Sequence, residues 1–156
     1  MPIHLTPANP ADAPELLEIQ RAAFREMYER YRDFNSPYNC TEEKLLYYIN
    51  DPHGKCYRIV CGDKICGAIW YFVKPSGVYY LGRIFVHPSC QRRGIAKRAI
   101  ALMEADCPDA RIWELDTPTD AAGNHALYEG MGYTRTGEVV RINDRLSLYV
   151  YRKELV

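Results

Sequence analysis

Charge of one sign is the first thing missing from this sequence. Lys+Arg and Asp+Glu stand at 20 each over 156 residues, a formal net charge of +0. No global field therefore draws the chain to nucleic acid or to an anionic membrane. No apolar run approaches the roughly 18 residues of a membrane span. The opening Met1-Pro2-Ile3-His4-Leu5-Thr6 lacks the apolar core of a signal peptide. Cys-x-x-Cys pairs are also absent: the cysteines stand at 40, 56, 61, 66, 90 and 107. Several lie in strand-like apolar surroundings, which reads as buried free thiols in a reducing cytoplasm. Cys61 and Cys66 flank Gly62-Asp63-Lys64, so a disulfide across a hairpin is the alternative there. The histidines, at 4, 53, 87 and 125, show no metal-ligand spacing. Neither a repeat, a low-complexity tract nor an interdomain linker is present, and the length suits a single domain spanning 1–156.

What is present is a regular alternation of short elements. Ile3–Thr6 reads as a strand closed by Pro7-Ala8-Asn9-Pro10, and Ala11–Arg32 as a helix with Leu16, Ile19, Ala23, Met27 and Tyr31 near a 3.6 period. Residues 33–40 form a loop by composition. Thr41 caps a second helix, whose early acidic residues suit the helix dipole and which stops at Asn50-Asp51-Pro52. Cys56–Cys61, Lys64–Val73 and Gly77–Val86 read as a meander joined by tight turns. A helix from Arg92 to Asp106, a strand from Arg111 to Asp116 and a helix from Asp120 to Met131 follow. Tyr133–Ile142 and Arg145–Glu154 close the chain as a hairpin around Asn143-Asp144. The order is β-α-α-β-β-β-α-β-α-β-β.

The most informative segment is Val86-His87-Pro88-Ser89-Cys90-Gln91-Arg92-Arg93-Gly94-Ile95-Ala96. A strand runs through a Pro-containing turn into a helix, and Gln91-x-x-Gly94-x-Ala96 sits at the helix start. The first backbone N–H groups of a helix have no partner inside it and lie at the positive end of its dipole. Small residues there let a phosphate approach the main chain. Arg92, Arg93, Lys97 and Arg98 crowd the same turns, so the segment reads as a pyrophosphate cradle. No Gly-Lys-Ser/Thr follows, and neither three glycines nor a following acidic residue marks a dinucleotide fingerprint. The local cations suit a small anion better than a polymer.

This motif resembles the acyl-CoA signature of the Gcn5-related N-acetyltransferase (GNAT) superfamily, and the element order matches that fold over essentially the whole chain. Asn124-His125-Ala126-Leu127-Tyr128-Glu129-Gly130-Met131-Gly132-Tyr133 is similar to the family's downstream signature. The resemblance implies a mixed, mostly antiparallel sheet that splays between its fourth and fifth strands to admit acetyl-CoA as co-substrate. It implies that Tyr128 protonates the departing CoA thiolate. Ile84, Phe85 and Val86 would offer main-chain bonds to pantetheine and an N–H to the oxyanion. Gln91, Arg92, Arg93, Gly94, Ile95, Ala96 and Lys97 would hold the pyrophosphate. The family's Asn more often lies seven residues before the Tyr, where Ala121 stands; Asn124 lies four before it. Asn124 therefore either bonds the pantetheine arm or caps its helix, and Gly132 has a reading of its own as the residue that ends that helix.

Amine acetylation needs a neutral nitrogen, and deprotonating an alkylammonium at pH 7 costs about 4–5 kcal/mol. A base is required. Some relatives place a Glu on the fourth strand, where Tyr80 stands here. Glu114 and Asp116 alternate with Trp113 and Leu115 and share one face of the fifth strand; they are either the proton relay or a solvent-facing pair. Phe24, Tyr28 and Tyr31, at i, i+4 and i+7, read as core. The loop aromatics Phe34 and Tyr38 read as acceptor lining. Arg83 either orients an acidic acceptor or pairs with a sheet carboxylate. The expected function is transfer of acetyl to a small-molecule primary amine. Acetylation of a protein N-terminus or lysine, or a non-catalytic acyl-CoA sensor, are the alternatives. Neither metal, membrane nor nucleic acid is expected as a partner; a homodimer through the C-terminal strands is what the resemblance allows.

Overall fold

The structure is a computed structural model that describes residues 2–155. Its frame is one seven-stranded sheet. In chain order the strands are β1 (Ile3–Pro7), β2 (Gly54–Cys61), β3 (Lys64–Val73), β4 (Tyr79–Val86), β5 (Ile112–Pro118), β6 (Thr134–Arg141) and β7 (Ser147–Glu154), and they lie in the order β1-β2-β3-β4-β5-β7-β6. The helices are α1 (Ala13–Tyr31), α2 (Glu42–Ile49), α3 (Ile95–Ala105) and α4 (Ala122–Gly130). None among the described residues is long and apolar enough to cross a membrane.

Alternation along each strand divides the core between the two faces of the sheet. On one face α3 and α4 bury Ile100, Met103 and Tyr128 against Ile59, Ile69, Leu81, Trp113, Leu115 and Tyr151. On the other, α1 and α2 bury Leu16, Ile19 and Leu45 against Cys56, Ala68, Trp70 and Phe85. A capping box between Asn9 and Asp12 starts the 3-10 turn Pro10–Asp12 that leads into α1, and Pro14 lies in the first turn of α1. Arg32, at φ 51, ends it.

Among the described residues β4 and β5 form the only parallel pair in the sheet, and they are in register only at Tyr79–Trp113 and Tyr80–Glu114. Beyond those residues the strands part, because β5 is held along its whole length by β7 while β4 stays with β3 to Val86. The sheet therefore opens between the fourth and fifth strands, as the resemblance implied. Within β4 the register slips between Trp70–Arg83 and Tyr71–Leu81, leaving Gly82 as an extra residue. A bulge reverses the alternation. Gly82 and Arg83 thus both face the α1/α2 side, and Phe85 rather than Ile84 follows them onto it; Arg83 lies there over Trp70 and Tyr48.

Several boundaries differ from the sequence reading. α3 begins at Ile95, not Arg92, because Arg92 (φ 65) and Gly94 (φ 71) are left-handed and no α-helix includes such residues. Residues 88–90 form a 3-10 turn instead. The last hairpin is not closed at Asn143-Asp144 alone: Arg141 pairs with Ser147, so 142–146 forms a wide loop. Within it Asn143 accepts from the Arg145 N–H at 2.7 Å. Cys61 and Cys66 are free and buried, as are the other cysteines.

Candidate active site

The turn after β4 is built to leave donors unused. Gly94 is the N-cap of α3 and supplies no side-chain cap, so the N–H groups of Ile95, Ala96 and Lys97 have no acceptor among the described residues. The left-handed Arg92 and Gly94 curl the main chain into a concavity of the kind that binds anions. Gln91 Nε2 donates to the Val86 carbonyl at 3.0 Å, fastening the turn to the end of β4. His87 Nδ1 accepts from the Ser89 N–H at 3.1 Å, so its ring braces the 3-10 turn. Arg98 folds back and donates to the Arg93 carbonyl at 3.1 Å.

A cavity of about 710 Å³ runs from this turn into the open gap of the sheet. Ile84, Phe85 and Val86 line it from β4, Gln91, Arg92, Gly94, Ile95, Ala96 and Lys97 from the turn, and Asn124 and Tyr128 from α4. Arg93 is not part of its wall. A second cavity of about 240 Å³ opens on the far side of the gap, between Asp116, Thr117 and Arg83, under Asp33 and Pro37 and beside Ile142, Leu146 and Leu148. Both cavities are bounded by Phe24, Met27, Ile84, Asn124 and Tyr128, so they meet at those side chains.

Tyr128 stands at this junction. The end of α4 fixes it: the Tyr133 N–H bonds the Tyr128 carbonyl at 3.0 Å and the Gly132 N–H bonds the Glu129 carbonyl at 3.1 Å. This is a Schellman ending with Gly132 (φ 96) as its left-handed residue. The accompanying hydrophobic contact is the Tyr128–Tyr133 ring pair. Gly132 thus ends the helix, and that ending seats Tyr128 in the gap. Its hydroxyl has no hydrogen-bond partner among the described residues. Burial, helped by the Asp116 carboxylate, pushes that hydroxyl up to about 12. Asn124 does not cap α4, whose N-cap is Ala121; its Nδ2 donates to Thr117 Oγ1 at 3.2 Å, leaving its carbonyl oxygen for the cavities.

The two β5 carboxylates have different surroundings. Glu114 lies 3.5 Å from Lys74 Nζ and 3.9 Å from Arg152 Nε and lines neither cavity. Asp116 lines the smaller cavity and accepts a hydrogen bond from the Tyr80 hydroxyl. Burial, then the Asp116 charge, raises the Tyr80 hydroxyl well above the usual phenol range. Phe34 is 84% exposed and Tyr38 stacks on Tyr28 with ring centroids 5.1 Å apart; both stand outside these two cavities. Phe24, which the spacing placed in the core, lines both. Met27, part of the helix period, and Ile142, Leu146 and Leu148 carried no sign of a cavity in the sequence, because apolar residues at helix and hairpin spacing look the same whether they face a core or a cavity.

The sequence profile of the acetyltransferase (GNAT) family matches residues 13–133. No curated protein matches the chain. Among solved structures, RimL, a ribosomal L7/L12 alpha-N-protein acetyltransferase in complex with coenzyme A, is similar at TM-score 0.78 with 16% identity, over 98% of this chain and 94% of that one. The PaiA N-acetyltransferase from Thermoplasma acidophilum, in complex with coenzyme A, is similar at TM-score 0.77 with 15% identity, over 99% and 100%. A GNAT family acetyltransferase from Elizabethkingia anophelis, with acetyl-CoA bound, is similar at TM-score 0.70 with 15% identity, over 98% of each chain. At such identities the structures speak to the fold. The family profile, matched over most of the length, goes further: this chain belongs to the acetyltransferase (GNAT) family.

Proposed function

We propose that the chain is an acetyl-CoA-dependent N-acetyltransferase that passes acetyl to the primary amine of a small molecule by direct attack in a ternary complex. The observation that carries this reading is the meeting of two cavities at Tyr128, Asn124 and Ile84 in the open gap of the sheet. The residues fit the co-substrate: uncapped N–H groups at α3 with Arg92 and Lys97 suit a diphosphate, and unpaired β4 main chain suits an amide-bearing arm. Acetyl-CoA supplies the activated thioester carbonyl.

The protein's own groups do the rest. An N–H near Phe85 or Val86 faces the developing oxyanion. Tyr128, with its hydroxyl raised to about 12, holds its proton across the working pH range and gives it to the departing sulfur. Asp116, at the acceptor side, takes the ammonium proton through water. Glu114, already paired with two cations, is the weaker candidate. Asp33 and Pro37 on one side and the 142–146 loop on the other roof the smaller cavity, which suits a small acceptor better than an extended peptide. Six free thiols suit a reducing cytoplasm.

Calorimetric titration with acetyl-CoA, CoA and ADP, then thiol release over an amine panel, tests this. Acetyl-CoA and CoA should bind, ADP more weakly, and Tyr128→Phe should lower kcat by about 10²–10⁴ with acetyl-CoA affinity unchanged. Binding without turnover of any amine would mean a sensor. Turnover of peptides alone would assign a protein acceptor, and no binding at all would remove the enzymatic reading.

A further inference from the structure

Arg83 is a half-buried cation that forms no salt bridge among the described residues. Its Nη1 is shielded from solvent and has no hydrogen-bond partner, and no carboxylate pairs with the side chain among the described residues. The faces of Trp70 (5.1 Å) and Tyr48 (5.7 Å) hold the guanidinium in place, but a ring face does not satisfy an in-plane N–H. Burial accordingly lowers the Arg83 pKa. An unpaired N–H of a buried charged group is costly to keep.

Its position suggests what completes it. Arg83 and Pro37 belong both to the wall of the acceptor cavity and to that of a pocket of about 170 Å³ beneath the 33–40 loop. The smaller pocket contains Lys44, Ser36 and Asn39 beside Arg83 and no carboxylate. Lys44, exposed to solvent, forms no ion pair among the described residues, so the pocket is lined by two cations and no carboxylate. The loop that covers it is fixed: Gln20 Nε2 donates to the Pro37 carbonyl at 2.8 Å and Asn39 Nδ2 to the Phe34 carbonyl at 3.4 Å. The same acceptor cavity is also lined by Asp116 and Tyr128. One cavity therefore offers a carboxylate for an ammonium and a guanidinium for an anion.

We propose that the acceptor is a compact zwitterion, an amine with a carboxylate or other small oxyanion on a short spacer, held by Arg83 at the boundary of these two pockets. This rests on the acetyltransferase reading above and narrows its substrate. Arg rather than Lys suits the task because its planar fork meets an oxyanion through two parallel hydrogen bonds. Lys44 adds long-range attraction from the rim.

The test uses matched acceptors with the full chain and acetyl-CoA: a panel of free amino acids, the primary amide of each, and the aminophosphonate of each. For at least one member, the free acid or the phosphonate should exceed its amide by about ten- to a hundredfold in kcat/KM, mostly through KM. Whichever of the two anions leads identifies the oxyanion. Arg83→Gln should collapse the difference to near unity, and Arg83→Lys should retain part of it; melting temperature and acetyl-CoA affinity check that both variants are folded. Lys44→Gln should reduce the preference by a smaller factor. Amides equal to or better than the acids in the native protein would overturn the proposal, as would a preference that survives Arg83→Gln. Failure to acetylate any amine, charged or neutral, would instead remove the enzymatic reading and this one with it.

Discussion

Gly94 holds φ +71, and a Cβ built there would meet nothing within 4 Å. Packing therefore does not require glycine; backbone conformation and ligand approach do. The two can be separated experimentally, because Asn tolerates the left-handed region while Val does not. Gly94→Val would confound strain with ligand exclusion. Gly94→Asn should keep the melting temperature within a few degrees and weaken acetyl-CoA by about tenfold or more, as measured by calorimetry. Unchanged affinity would mean that the phosphate does not approach this turn. Gly82 is the opposite case. A Cβ there would lie 2.8 Å from Trp70 Cδ1, so its smallness is set by a neighbour across the sheet.

Among the elements, α4 shows how a stop signal becomes a functional device. The Schellman ending through Gly132 sets the axial rotation at which Tyr128 enters the gap. Gly132→Ala places a side chain at φ 96, where the nearest atoms are 3.5 Å away on the flexible Lys153. The penalty is then conformational, about 1 kcal/mol. A fall of a few degrees in melting temperature, with a smaller loss in kcat than Tyr128→Phe gives, is expected. A kcat loss as large as that of Tyr128→Phe without any change in melting temperature would contradict this division of roles. Asn143 Nδ2, donating to the Tyr31 carbonyl at 3.0 Å, ties the 142–146 loop to the end of α1, so the acceptor cavity is bounded by elements far apart in the chain.

For the molecule as a whole, buried phenols make alkali the vulnerable side. Tyr128, raised from 10.0 to about 12, binds its proton more tightly folded than unfolded. Its contribution is complete below pH 10 and vanishes as pH rises through about 12; at full extent it is about 3 kcal/mol. Tyr133 is raised by burial and Glu104, and Tyr57 by burial and Asp106, in the same direction. Urea midpoints should hold between pH 7 and 9 and fall steeply from pH 10 to 12. A flat profile across that window would show that these hydroxyls are not shielded in solution.

Element order, the uncapped helix start after β4 and the placing of Tyr128 on a helix were legible in the sequence, because each depends on local periodicity, proline and glycine. The tertiary structure alone decided which side chains meet. The Gly82 bulge turned Arg83 into the α1/α2 face, a parity change that no pattern within β4 announces. Pairing with Lys74 and Arg152 separated Glu114 from its neighbour Asp116, although alternation had treated them alike. Phe24 became a cavity wall and Phe34 an exposed side chain, because burial depends on what packs opposite, and that partner lies tens of residues away.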